Sequence, residues 1–285
     1  MFFFRNHHPA CSSKIETMMT PVETHAVKSV SAFMALVEKT KVAAVEAGIK
    51  SDFIFRGQNE DKPLLPKIAR PTLQPKGNLP KTEQLMMEEF KRLRLPFSDF
   101  EPKNEWDSLA LAQHHGLPTR LLDWSYSALI ALWVCVKDLP KKDEQGNESD
   151  GVVWLLKTRK DEFINFPIPG GPYALRRTRI FRPRWLSPRI PAQAGIFTCH
   201  QRLPKGKFIP LEANPNFRPR LVKFVVPARR FSAIRDQLYS CGVTDVALFP
   251  DLDGLSRFLQ YRYFHQSDAA RVRQKPRFRF MKPAS

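Results

Sequence analysis

From Val27 to Gly48 apolar residues recur at helical intervals, first Val30, Phe33, Met34 and Val37, then Val42, Ala44 and Val45. This predicts an amphipathic helix that Gly48 stops. The pattern then changes. Phe53, Ile54 and Phe55 form a short β-prone run closed by Gly57, which predicts a strand over "DFIFRGQ". The proline-rich "PLLPKIARPTLQPKGNLP" reads as an irregular loop, and "KTEQLMMEEFKRLRL" as a second helix starting near Thr82. "NEWDSLALAQHHG" reads as a helix that ends at Gly116, with Pro118 barring its resumption. "TRLLDW" is a candidate strand, followed by the nearly all-apolar helix "YSALIALWVCV" with Ser125 as its expected N-cap. Beyond a charged loop, "GVVWLLK", "AQAGIFTCH" and "LVKFVVP" read as strands, "ARRFSAIRDQLYSCG" as a helix ending at Gly242, and "VALFPDLDGLSRFLQYRYF" closes the fold.

Strands and helices mix without regular βαβ alternation and without a repeat. The expected class is therefore α+β, a mixed sheet with flanking helices. Residues 1–26 are expected to be a flexible N-terminus, 27–269 one domain, and 270–285 a basic tail. With 285 residues and a hydrophobic share of 42%, the chain can bury a full core. Its 46 Lys and Arg against 28 Asp and Glu give a net charge of +18, which favours nucleic acid, another polyanion or a phosphate-bearing ligand.

Several classes drop out. No Walker loop, G-x-G-x-x-G, G-x-S-x-G or H-E-x-x-H occurs, and the four cysteines (Cys11, Cys135, Cys199, Cys241) are far apart. A reducing, cytoplasmic setting fits that usage. The run at Met1–Phe4 is too short for a secretory core, and Leu129–Val136 is far short of the roughly 20 residues that span a bilayer, so no membrane partner is expected. His7 and His8 beside Cys11 read as a terminus rather than a metal site. Asp251 and Asp253 read as a turn with helix caps, lacking the further ligands of a calcium loop.

"QHHGLPTRLLDWS" concentrates the candidate chemistry. Arg56, at the end of its strand, can fork onto a phosphate or carboxylate, with Gly57 allowing close approach; alternatively it pairs with Asp123. Asp123 sits where a strand yields to a helix and is expected to cap, to pair with Arg120 or Arg56, or to orient a ligand. Of the two histidines at the helix end, His115 is the one expected to touch a ligand. Gln193, two residues before Gly195 on the expected strand, either hydrogen-bonds a base, amide or ribose or satisfies buried backbone. The proline-rich loop is expected to lie against this pocket. A separate cluster, Arg176, Arg177, Arg179, Arg182, Arg184 and Arg189, carries no acid, and in the tail Arg277 and Arg279 alternate with Phe278 and Phe280, a pattern suited to unpaired bases.

"FIFRGQ" with "AQHHGLPTRLLDWSYSALIALWVCV" closely resembles the FRG domain, a microbial family named for its Phe-Arg-Gly motif, here Phe55, Arg56 and Gly57. "RIPAQAGIFT" and "LFPDLDGLSR" resemble later elements of the same family. The order Arg56-Gly57, then Ser125, Tyr126 and Ser127, then "AQAGIFT" is also similar to ADP-ribosyltransferases, which hold NAD between such elements. That resemblance implies Arg56 at the NAD diphosphate or ribose, Ser125 and Tyr126 flanking nicotinamide, Gln193 orienting the ribose, and Asp123 organising the site. Gly57, His115 and Arg120 complete the implied binding set. Gln193 stands where that family has a catalytic Glu, and an amide cannot supply the anionic charge. A toxin or phage-defence effector acting on nucleic acid or a protein acceptor, with an antitoxin as partner, is one expectation; a noncatalytic nucleic-acid-binding module and a protein-interaction or sensor domain are the others.

Overall fold

The β-branched and aromatic runs become strands, and their alternation decides which face each side chain covers. The computed structural model describes residues 21–48, 52–98, 100–165, 168–184 and 189–264. In chain order these build β1 (Glu23–Ala26), α1 (Val30–Glu46), β2 (Phe53–Gln58), α2 (Leu79–Leu93), α3 (Glu105–His114), β3 (Leu121–Ser125), α4 (Ala128–Val136) and β4 (Gly151–Lys157). There follow β5 (Arg179–Phe181), α5 (Arg189–Ala192), β6 (Gly195–Cys199), β7 (Leu221–Val226), α6 (Phe231–Ser240), α7 (Asp245–Leu248) and α8 (Leu252–Tyr263). The strands make one seven-stranded sheet in the order β1-β7-β4-β2-β3-β6-β5. Only the β1–β7 pair is parallel, so the sheet is mixed and the class is α+β.

On one face of the sheet Phe55 of β2, Val153 and Leu155 of β4 and Val222 and Phe224 of β7 meet α1, α4 and α6 in the main core. Further along the same face Leu121, Phe197, Cys199 and Phe181 meet Met87 of α2 and Trp106 and Leu109 of α3. The opposite face, with Ile54, Trp124, Trp154 and Ile196, is roofed by loops through Leu64, Leu211 and Phe217. The proline-rich loop supplies Leu64 to that roof, and its Ile68 amide donates to the Thr119 carbonyl.

Side chains at the helix starts fix the boundaries. The Ser29, Asn78, Asn104, Ser127, Thr244 and Asp251 side chains each accept an amide of the following first turn. Three expectations are corrected here. The second helix begins at Leu79 rather than near Thr82, because Asn78 caps it. Ser127, not Ser125, caps α4; Ser125 is the last residue of β3, and its Oγ accepts the Ser127 amide at 3.0 Å. Gln193 lies in the turn between α5 and β6, where Ala194 takes the left-handed conformation at φ 46°, so it does not share a strand face with Gly195. The sheet also begins before residue 27: β1 pairs with β7 from Glu23↔Val222 to Ala26↔Val225. Arg277, Arg279, His7, His8 and Cys11 lie outside the described residues.

Candidate functional site

The sheet is nearly cut in two at its middle. β2 joins β4 through a continuous ladder from Phe53↔Lys157 to Gln58↔Val152, and β3 joins β6 from Leu121↔Cys199 to Ser125↔Gly195. Between β2 and β3 the register holds a single pair, Phe55↔Ser125. The strands splay beyond it, and residue 56 is the next position on β2. Arg56 fills that gap: its Nη1 donates to the Asp123 carbonyl at 2.7 Å and lies 3.8 Å from the Asp123 carboxylate. Burial pulls its pKa down to about 10, against the attraction of Asp123 and with a further push from Arg70. Its Nε is buried with no acceptor among the described residues. A guanidinium left short of partners in a low-dielectric gap is a strong anion receptor.

A cavity of about 240 Å³ opens at this split, walled by β2, β3, α4, α5 and the α7 end. Among the described residues its cations are Arg56, Lys137 and Arg189, His114 adds an imidazole, and its single carboxylate is Asp123. Aromatic surface comes from Phe55, Trp124, Trp133, Phe197 and Phe249. The Asp123 carboxylate accepts from Gln113 Nε2 at 2.9 Å, and the Gln113 carbonyl oxygen in turn accepts from Thr119 Oγ1 at 2.6 Å, so the amide cannot flip without losing a bond. Burial, then the neighbours His115 and Arg189, hold His114 below the usual histidine range, against a weaker pull from Asp123. Arg189 is aimed by a fork onto Asp251 and lies 5.2 Å from the Phe249 ring centre. The combination of flat apolar walls with a cationic rim suits a ligand that has both a ring and a phosphate.

The predicted residues separate into two groups. Arg56, Gly57, Asp123, Ser125 and Gln193 all line this cavity, although they come from three distant stretches of chain. Ser125 Oγ donates to the Gln193 carbonyl at 2.8 Å, and Gln193 Nε2 donates to the Leu248 carbonyl at 3.2 Å. Gln193 therefore ties β3 to α7 as well as facing the cavity. The freedom at Gly57 serves the protein itself: a Cβ there would lie 1.9 Å from the Ala131 carbonyl oxygen, so α4, not a ligand, makes the close approach.

The others are placed elsewhere. His115 is exposed at the α3 end, and the half-buried His114 takes the wall position instead. Arg120 is 1% exposed and does not reach the cavity. It forks onto Glu83 of α2, donates to the Pro172 carbonyl at 3.1 Å and lies under the Tyr173 ring. The Tyr126 hydroxyl accepts from Arg182 Nε at 3.0 Å, outside the cavity wall. The arginine cluster is also largely committed within the protein. Arg177 and Arg179 both donate to Asp161, Arg182 to Asp52 and Arg184 to Asp107, while Arg176 is exposed.

Sequence reasoning missed Trp133, Lys137 and Phe249 as site residues and named Arg189 only within the arginine cluster, not in this cavity. Trp133 and Lys137 stand four apart at the end of α4, a helical neighbour pair whose shared face was legible; Phe249 carried no such signal. A larger groove of about 520 Å³ runs along α2, but it gathers Glu83, Glu88 and Glu105 with Lys81, Lys91 and Arg202 and has little aromatic surface. Among the described residues no helix is long and apolar enough to cross a membrane.

The fold and cavity define an α+β domain with a cationic, aromatic-walled cleft at a sheet split. Residues 51–144 match the FRG domain family, and the chain carries an FRG domain there. The match contains β2, α2, α3, β3 and α4, and with them Arg56, Gly57, Gln113, His114, Asp123, Ser125, Trp133 and Lys137. Arg189, Gln193 and Phe249 lie beyond it. No curated protein and no solved structure matches the chain.

Proposed function

We propose that the FRG domain binds a nucleotide in the cleft between β2 and β3, with NAD as the ligand, and acts as an ADP-ribosyltransferase-like or NAD-cleaving effector of toxin or defence type. One observation carries the reading: the buried, acceptor-poor Arg56 guanidinium at the single-pair junction of the sheet, facing a cavity with aromatic walls. Arg56 holds an anionic or ribose oxygen there. The Gln193 side-chain amide engages the Leu248 carbonyl, so its part is to fix the α5–β6 turn over the ribose position. Asp123, the cavity's one carboxylate, supplies the negative charge that an amide at position 193 cannot.

The reaction breaks the bond between ribose C1′ and the nicotinamide nitrogen. The bonding electron pair leaves with neutral nicotinamide, positive charge grows on the ribose, and the Asp123 carboxylate stabilises it. Water or an acceptor oxygen or nitrogen then bonds C1′ and gives up its proton. The charge of +18 favours a polyanionic acceptor such as nucleic acid.

The test is NAD binding and nicotinamide release by the purified protein, with and without nucleic acid, beside Arg56→Ala, Asp123→Asn and Gln193→Ala. Arg56→Ala is expected to abolish binding. Asp123→Asn is expected to keep binding and lower turnover by about 10²-fold, the scale for loss of one electrostatic stabiliser. A folded wild-type protein that neither binds NAD nor releases nicotinamide overturns the reading.

A further inference from the structure

A second cavity of about 520 Å³ shares Trp133, Lys137, Arg189 and Phe249 with the first. The two are therefore neighbours across one wall, formed by the outer turn of α4 and the α5 and α7 ends. Within the second cavity α8 contributes Arg257, Gln260 and Tyr261. At about 240 Å³ the first cavity is small for a whole dinucleotide, and the adjoining second cavity is the space into which the rest of such a ligand extends.

We infer that the second cavity is the subsite for the adenosine diphosphate half of the ligand, with the diphosphate crossing the shared wall between Lys137, Arg189 and Arg257. This rests on the nucleotide reading above. Arg189 and Arg257 both lie against the Phe249 ring, their guanidinium carbons 5.2 and 5.0 Å from its centre, so one aromatic plate sets two cations at the junction. Lys137, 5.7 Å from the Trp133 ring centre, is the third.

Each of these cations has a carboxylate partner within the protein: Asp138 for Lys137, Asp251 for Arg189 and Asp245 for Arg257. The cations of those pairs are partly exposed, Lys137, Arg189 and Arg257 at 37%, 36% and 45%, although the Asp245 side chain is only 16% exposed. Exposed pairs hold weakly and yield to a doubly charged diphosphate. Beyond the junction the Tyr239 and Tyr261 rings stack at 3.6 Å between centres, an aromatic platform for a purine. Asp253, on the same cavity wall, offers an acceptor for ribose hydroxyls or an exocyclic amine.

Calorimetric binding of NAD, ADP-ribose and nicotinamide mononucleotide to the full chain and to Arg257→Ala and Gln260→Ala tests the assignment. Both residues are exposed on α8, so the fold tolerates their loss. Arg257→Ala is expected to weaken NAD and ADP-ribose at least tenfold and to leave the mononucleotide unchanged, with a smaller loss of the same pattern for Gln260→Ala. If wild type binds NAD and Arg56→Ala abolishes it while both α8 variants bind NAD and ADP-ribose normally, the subsite assignment falls and the nucleotide reading stands. If wild type binds none of the three, both fall.

Discussion

Glu83→Gln isolates the cost of one buried charge. Glu83 and Arg120 are each 1% exposed, and Arg120 meets both carboxylate oxygens, with Nε to Oε1 at 2.7 Å. Burial works against the guanidinium charge, and the Glu83 hydrogen bond and charge outweigh that cost, so the Arg120 pKa is raised. The amide keeps the shape of Glu83 but removes the compensating charge, leaving Arg120 with the Pro172 carbonyl and the Tyr173 face. Arg202, 4.0 Å from the same carboxylate, adds a second unanswered cation. Breaking a buried pair in this way costs about 3–5 kcal/mol. At about 2–4 °C per kcal/mol for a large domain, Tm should fall by roughly 6–20 °C. Thermal unfolding by circular dichroism reads it directly. The double replacement Glu83→Met with Arg120→Met should recover most of the loss, because no charge is then buried alone. A Glu83→Gln protein within about 1 kcal/mol of wild type would falsify the claim that this pair is dry and mutually dependent. NAD binding measured at low temperature should survive the double replacement, since neither residue lines the cleft.

Other outcomes follow from the same geometry. Gly57→Ala sets a Cβ 1.9 Å from the Ala131 carbonyl oxygen and 2.8 Å from the Cys135 amide nitrogen. Backbone on that side cannot swing away, so a loss at or above the usual overpacking cost of about 1–3 kcal/mol is expected in denaturant unfolding. His200 is buried beside Arg56, and burial first, then that charge, pull its pKa from 6.5 to about 3. The unfolded chain therefore binds more protons between those values, and stability must fall as pH drops from about 6.5 toward 3. His200→Leu should flatten that slope in unfolding measured across the window; an unchanged slope refutes the assignment. His114 is held below the ordinary range by burial and its cationic neighbours, so it is neutral at pH 7 and gains charge only in more acid solution. Affinity of the cleft for ADP-ribose should rise as pH falls below the ordinary histidine range, and His114→Ala should remove the rise.

Elements with a strong period were readable because burial acts on one face at a time. The Val27–Gly48 helix, the "GVVWLLK" strand and the "LVKFVVP" strand all emerge within a few residues of their expected ends. β1, "ETHA", was not readable, since it is a four-residue edge strand with no apolar alternation and is held by parallel pairing to β7 far along the chain. β5 failed for a similar reason: three residues inside an arginine-rich run gain their strand conformation from β6. The tempting "AQAGIFTCH" strand was cut short because α5 ends in a left-handed turn at Ala194, and nothing in the alanine side chain announces φ of 46°.

The site was legible in type and only partly in place. Pairing with Asp123 was one of the readings open for Arg56, and the fold sets the two 3.8 Å apart because each ends or edges a strand whose hydrophobic pattern is plain. Arg120 looked equivalent on paper, in the same thirteen-residue stretch and next to the same strand. What separated them was Glu83, 37 residues upstream and indistinguishable by local pattern from the other acids of α2. Which charge a fold buries in a pair and which it leaves short of partners depends on what the opposing element brings. At the sheet split nothing acidic among the described residues opposes Arg56 except Asp123, itself already held by Gln113. That unequal division of carboxylates, one full fork for Arg120 and one distant oxygen for Arg56, makes the first arginine structural and leaves the second available to an anion.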